Sequence, residues 1–117
     1  MIKITAIGAE KATVVVKPEQ NWFSGKIKDS ITIDLGVIDG KVQRTFRFEY
    51  GDSGKVITDT GASCTCTAPT FEEDVFLPNS QIITVTFTPK DKGTHNKTMY
   101  LYSNGDKQII KLKVDVK

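Results

Sequence analysis

Two cysteines stand one residue apart in Ser63-Cys64-Thr65-Cys66-Thr67-Ala68-Pro69, near the middle of a chain of 117 residues. A Cys-x-Cys pair can offer two thiolates to a soft metal such as Cu(I) or Zn. A closed zinc site takes four ligands, however, and His95 is the single histidine of the chain. The ligand count therefore argues against a metal. A disulfide between the two is awkward on an extended strand, where Cα atoms two residues apart lie about 6.6 Å from each other, near the upper limit for a bridge. Free thiols are the expectation for a chain without an export signal. A nucleophilic cysteine needs a base and a group to orient that base; His95 lies in a turn-rich stretch with no evident partner and reads as a solvated loop residue. The acidic run Glu72-Glu73-Asp74 lacks the alternating Asp-x-Asp-x-Asp-Gly of a calcium loop and reads as a solvated surface turn. No phosphate loop, nucleotide fingerprint or zinc-protease helix occurs in the sequence. No catalytic residue, metal ligand set or cofactor site is therefore assigned, and the chain is read as non-enzymatic. Cys64 and Cys66 read as core residues, because a free cysteine behaves as a small hydrophobe and is commonly buried.

The elements that would position these residues are β-strands. The chain suffices for one core, with 38% hydrophobic and 26% charged residues, as in a soluble globular domain. Apolar runs such as Val14-Val15-Val16 are too short to cross a bilayer, so no membrane partner is expected. The start, Met1-Ile2-Lys3-Ile4-Thr5, alternates apolar and polar residues and does not read as a secretory signal, which predicts a chain that stays in the cytoplasm where it is made. A net charge of +2, with the lysines spread along the chain, gives no electrostatic footprint for nucleic acid.

Residues 2–7 alternate with period two, and the β-branched residues 12–17 follow a turn at Gly8-Ala9-Glu10-Lys11, which predicts an N-terminal hairpin. The connector from Pro18 to Ser30 is polar except for Trp22 and Phe23, which either plug the end of a sandwich or contact a partner. From Ile31 the alternation is sustained. Ile31, Ile33, Leu35 and Val37 point one way before Asp39-Gly40 turns the chain; Phe46, Phe48 and Tyr50 do the same before Gly51-Asp52-Ser53-Gly54. Val56-Ile57-Thr58 starts another strand, and Cys64 and Cys66 share one face of an extended segment. Phe71 to Gln81 reads as a long connection, after which Ile83, Val85 and Phe87, then Met99 and Leu101, then Ile110, Leu112, Val114 and Val116 mark three further strands. The prediction is an all-β fold, a β-sandwich of about seven strands after residue 30, with Phe46, Phe48, Val85, Phe87 and both cysteines in its core.

Asp34-Leu35-Gly36, Phe46-x-Phe48, Gly54 with Ile57, Ser63-Cys64-x-Cys66-Thr67-x-Pro69, Val85-Thr86-Phe87, Gly93, Lys97-Thr98 and Ser103-Asn104 together resemble a bacterial family of uncharacterised Ig-like domains marked by Ser-Cys-Gly-Cys-Thr. That family is similar in turn to Hydin-type and major-sperm-protein-like sandwiches. The resemblance runs from about residue 31 to 117, with Thr65 in place of the usual Gly and Asn79 in place of a Pro-Gly turn. It implies an Ig-like sandwich over residues 27–117, preceded by a hairpin arm and connector over residues 1–26, and it implies no chemistry.

Two functions follow as expectations. The first is a structural subunit that decorates or cements a phage virion, its partners being other protein subunits of a capsid or tail. The second is an exported or envelope-associated binding module of a bacterium, in the periplasm or cell envelope. In the first reading the apolar residues Ile2, Ile4, Val14, Val15 and Val16, with Trp22 and Phe23, meet a partner. An isolated hairpin is marginal in water, and Val15 faces away from Val14 and Val16, so the arm is expected to have its own domain on one side and a neighbouring subunit on the other.

Overall fold

The computed structural model describes residues 2–8 and 12–117. Nine strands form among them: β1 (Lys3–Ile7), β2 (Thr13–Val15), β3 (Ile31–Ile38), β4 (Val42–Glu49), β5 (Asp59–Ala62), β6 (Thr67–Glu73), β7 (Ser80–Phe87), β8 (Gly93–Ser103) and β9 (Asp106–Val116). A single 3-10 turn, Ile27–Asp29, leads into β3. The strands build two sheets, in the orders β1-β4-β7-β6 and β2-β3-β9-β8-β5. All pairings are antiparallel except that of β3 with β9. The fold is an Ig-like β-sandwich.

Period-two alternation sets the core. Ile31, Ile33 and Leu35 from β3 meet Met99 and Leu101 from β8 and Ile110, Leu112 and Val114 from β9 on the inner face of one sheet. Phe46 and Phe48 from β4 face them from the other sheet with Ile83, Val85 and Phe87 from β7. These are the β-branched and aromatic types that pack well on a pleated surface. Asn104 and Gly105, both with positive φ (50° and 92°), join β8 to β9 in a tight turn whose twist matches that of the strands.

Several expectations need correction. The N-terminal hairpin does not form. β1 pairs with β4 and β2 pairs with β3, so the two strands extend opposite sheets instead of pairing with each other. Each thereby covers the edge of an eight-residue strand and turns its apolar side into the core, which a free hairpin cannot do. Of the turn expected at Gly8-Ala9-Glu10-Lys11, residues Ala9, Glu10 and Lys11 lie outside the described residues. Val37 points outward and Ile38 inward, because Gly36 adopts φ +77° and shifts the register between Asp34 and Val37. This is a bulge, closed by a 2.8 Å hydrogen bond from the Gly36 amide to Asp34 Oδ1, and it inverts the alternation beyond it. Of the connection expected from Phe71 to Gln81, residues 71–73 end edge strand β6 and Ser80 and Gln81 begin β7; Pro69 is tolerated in β6 because an edge strand has one unpaired side. Ile57 precedes β5 and is held by Gln81, which accepts from the Ile57 amide at 2.8 Å and donates to its carbonyl at 2.9 Å.

A second buried glutamine fixes the connector. Gln108 on β9 accepts from the Phe23 amide at 2.8 Å and donates to the carbonyls of Asp29 (2.8 Å) and Ile109 (3.1 Å). Phe23 is buried and holds φ +58°, an unusual value for a bulky residue, and its ring packs edge-on against Phe48 at 6.1 Å. Trp22 meets the same phenylalanine edge-on at 6.2 Å. Phe23 is thus buried in the sandwich, and Trp22 packs half-buried against its margin.

Candidate functional site

The crossover from β5 to β6 carries both cysteines. Thr65 and Cys66 form a turn instead of extended chain, which brings the Cα atoms of Cys64 and Cys66 to 5.2 Å, and the two are joined as a disulfide. The free-thiol expectation fails for this reason: the 6.6 Å spacing of a strand does not apply to a turn. The Cys66 amide donates to Cys64 Sγ at 3.2 Å, the Thr67 amide to Cys64 O at 3.1 Å, and the Thr88 amide to Cys66 O at 2.8 Å. Cys66 is buried at the edge of the core and Cys64 is half-buried. A ring closed across one residue removes little freedom from the unfolded chain, about 1.6 kcal/mol by loop entropy, against about 3 for a loop of fifteen residues. The bond is a weak staple.

A cleft of about 130 Å³ opens beside the disulfide, lined by Phe87, Lys90, Asp91, His95 and Lys97 as well as both cysteines. His95 stands on β8, not in a loop, with its ring 6.3 Å from that of Phe87 and its Nε2 2.8 Å from the carbonyl of Asp91. A carbonyl only accepts, so Nε2 carries the proton and Nδ1 is the acceptor of the neutral ring. The pairing of β5 with β8, and the packing of β8 against Phe87 of the other sheet, bring His95 near the cysteines from about thirty residues away in sequence, which no local pattern shows. Among the described residues no group of three His, Cys, Asp or Glu is arranged to hold a metal ion.

The far end of β6 presents a second feature, absent from the sequence-based assignments. Val75 and Phe76 are 86% and 81% exposed, and Leu77 is also exposed, at the tip of the β6–β7 connection. Asp74 anchors this tip from below. Its carboxylate accepts from the Phe76 amide (2.9 Å), Arg47 Nε (2.7 Å) and Ser80 Oγ (2.9 Å), while the Asp74 amide donates to Ser80 O at 3.1 Å. Burial pushes the Asp74 carboxyl up, but the hydrogen bonds from Phe76, Arg47 and Ser80 and the charge of Arg47 outweigh it and hold the group at about 2. Of the acidic run, only Glu72 and Glu73 are solvated; Asp74 is buried. Ile7, Ile82 and Phe76 line a cleft of about 300 Å³ here, with Glu72 and Glu73 at its rim. An apolar triplet just before Pro78, inside what reads as a polar connection, was the available signal.

The residues assigned to a partner divide by burial. Ile4 and Phe23 are buried, and Ile2, Val14, Val16 and Trp22 are partly buried against the core. Val15, 59% exposed, faces solvent. Among the core assignments, Phe46, Phe48, Val85, Phe87 and Cys66 are buried, and Cys64 packs against the core from its margin.

A family model described as a protein of unknown function, DUF1573, matches residues 24–117. The chain belongs to the DUF1573 family. The DUF1573 span takes in both the disulfide cleft and the apolar tip, and it begins at the connector that Gln108 holds, after β1 and β2. No curated protein matches the chain.

Proposed function

We propose that this DUF1573 chain is a non-enzymatic structural subunit that docks on a large protein assembly, as an auxiliary decoration or cement subunit of a phage virion made in the cytoplasm of a bacterial host. The observation that carries the reading is the Val75-Phe76-Leu77 tip. Large apolar side chains in solvent cost free energy that a partner's pocket recovers, about 1.5–3 kcal/mol for one fully buried Phe or Leu. The tip is also pre-organised by Asp74, so little ordering is lost on docking. The complementary surface is an apolar pocket with basic residues at its rim, opposite Glu72 and Glu73. Likeness to the Ser-Cys-x-Cys-Thr sandwiches, and through them to Hydin-type and major-sperm-protein-like domains, supports a binding role by analogy of fold alone. Mass spectrometry of gradient-purified virions tests the proposal: the chain should be recovered in fixed proportion to the coat protein, and its absence from intact particles refutes it.

One observation favours the other reading, an exported or envelope-associated binding module of a bacterium. Disulfides persist in oxidising compartments, and Cys64 is bridged to Cys66. Recovery of the chain in periplasmic or envelope fractions of uninfected cells would favour this second reading over the first.

A further inference from the structure

We propose that the Cys64–Cys66 pair is a thiol–disulfide exchange site that accepts two electrons from a dithiol, with Lys90 and Lys97 as the charges that favour thiolate in its cleft and His95 as the proton acceptor beside it. Three independent features meet there. The bond closes across a single residue and contributes little to holding the sandwich, so its reduction leaves the fold standing. Cys66 is buried at the edge of the core, but an open cleft reaches the bond, and Cys64 is the sulfur that solvent reaches more readily. The cleft is lined by Lys90 and Lys97 against the one carboxylate of Asp91, a positive balance that lowers the cost of a thiolate.

Each sulfur also has a donor positioned for it. The thiolate of the incoming dithiol attacks Cys64 Sγ, the disulfide breaks, and Cys66 leaves with the electron pair as a thiolate, 3.7 Å from the hydroxyl of Thr67. The product is a mixed disulfide between Cys64 and the substrate. The second thiolate of the substrate then attacks the substrate's own sulfur in that mixed disulfide. Cys64 is released as a thiolate that accepts from the Cys66 amide at 3.2 Å. The dithiol departs as a disulfide, oxidised by two electrons, and its two protons pass to the cysteine pair, with Nδ1 of His95 as the acceptor available for one of them.

The test uses the full chain with dithiothreitol as the dithiol. Thiols are counted with Ellman's reagent after rapid quenching, and the fluorescence of Trp22 reports folding. The expected result at neutral pH is release of two thiols per chain with no change in the folded signal. Resistance to reduction, or reduction that coincides with unfolding, overturns the proposal. Single-cysteine variants test the order of attack. The Cys66→Ser variant, which keeps Cys64, should form a mixed disulfide with oxidised glutathione about tenfold faster than Cys64→Ser, given the dependence of exchange on access; equal rates refute the assignment of Cys64 as the attacked sulfur. His95→Gln should slow reduction several-fold at neutral pH, with the deficit closing at alkaline pH where the attacking thiol ionises unaided. A deficit that stays constant with pH would mean that His95 only packs against Phe87, and would remove it from the site.

Discussion

Replacing Gln108 by methionine keeps the length of the side chain and deletes its three hydrogen bonds to Phe23, Asp29 and Ile109. Gln108 is 1% exposed and Phe23 5% exposed, so the Phe23 amide loses its partner where water scarcely reaches, whereas the Asp29 carbonyl keeps a hydrogen bond from Gln20 Nε2. Each orphaned backbone group costs about 1–3 kcal/mol. The variant should therefore lose about 1–3 kcal/mol, out of roughly 6–17 kcal/mol for a domain of this size. Further loss is expected because Phe23 sits at positive φ, a conformation that persists only while its surroundings enforce it. In a thermal melt this corresponds to a fall in Tm of about 4–12 °C. Near-UV circular dichroism of the aromatic cluster, followed with temperature, measures it. A fall of under about 2 °C would mean that the connector bears no weight, and would refute its description as part of the sandwich.

Three other outcomes follow from named contacts. The Asp74 carboxyl is held at about 2 in the folded state against an ordinary 3.8, so its contribution to stability is complete above about pH 3.8 and is lost as pH falls towards 2; an Asp74→Asn variant should show a flatter acid limb in urea titrations. Gly36→Ala meets no neighbouring atom within 4 Å, so its cost is the left-handed backbone alone, about 1–2 kcal/mol, readable as a shifted denaturation midpoint with an unchanged slope. Removal of residues 1–17 bares the edges of β3 and β4 and uncovers the core beside Ile4, so the truncated chain should melt lower and associate in sedimentation experiments, whereas a monomer of native stability would return β1 and β2 to the status of an accessory arm.

Alternation made most of the sandwich legible, because one face of each central strand is buried and side-chain period there is strictly two. Phe46 and Phe48, Ile83 to Phe87, and Ile110 to Val114 follow that rule. It fails where backbone geometry interrupts the period, as at Gly36, beyond which Ile38 and not Val37 turns inward. It is also weak at edges: β6 has Pro69, Glu72 and Glu73 among its residues and half its side chains in solvent, so its composition is that of a loop. Pairing partners of β1 and β2 depend on competition between sheet edges and cannot be seen within residues 2–17. The sites were harder still. The cysteine turn hinges on the local conformation of Thr65, His95 reaches the cleft through strand pairing, and Asp74 is distinguished from its acidic neighbours by Arg47, twenty-seven residues away.

The claim that the apolar tip is the docking contact is tested most directly by incorporation. Particles assembled without the chain are mixed with purified wild type or with Phe76→Ser, and the amount bound is measured after gradient sedimentation. Phe76 is 81% exposed and makes its one anchoring bond through the backbone, so the substitution should leave the melting temperature unchanged. Loss of its burial, about 1.5–3 kcal/mol, should weaken binding by roughly ten- to a hundredfold. Equal binding by the two proteins would contradict the account.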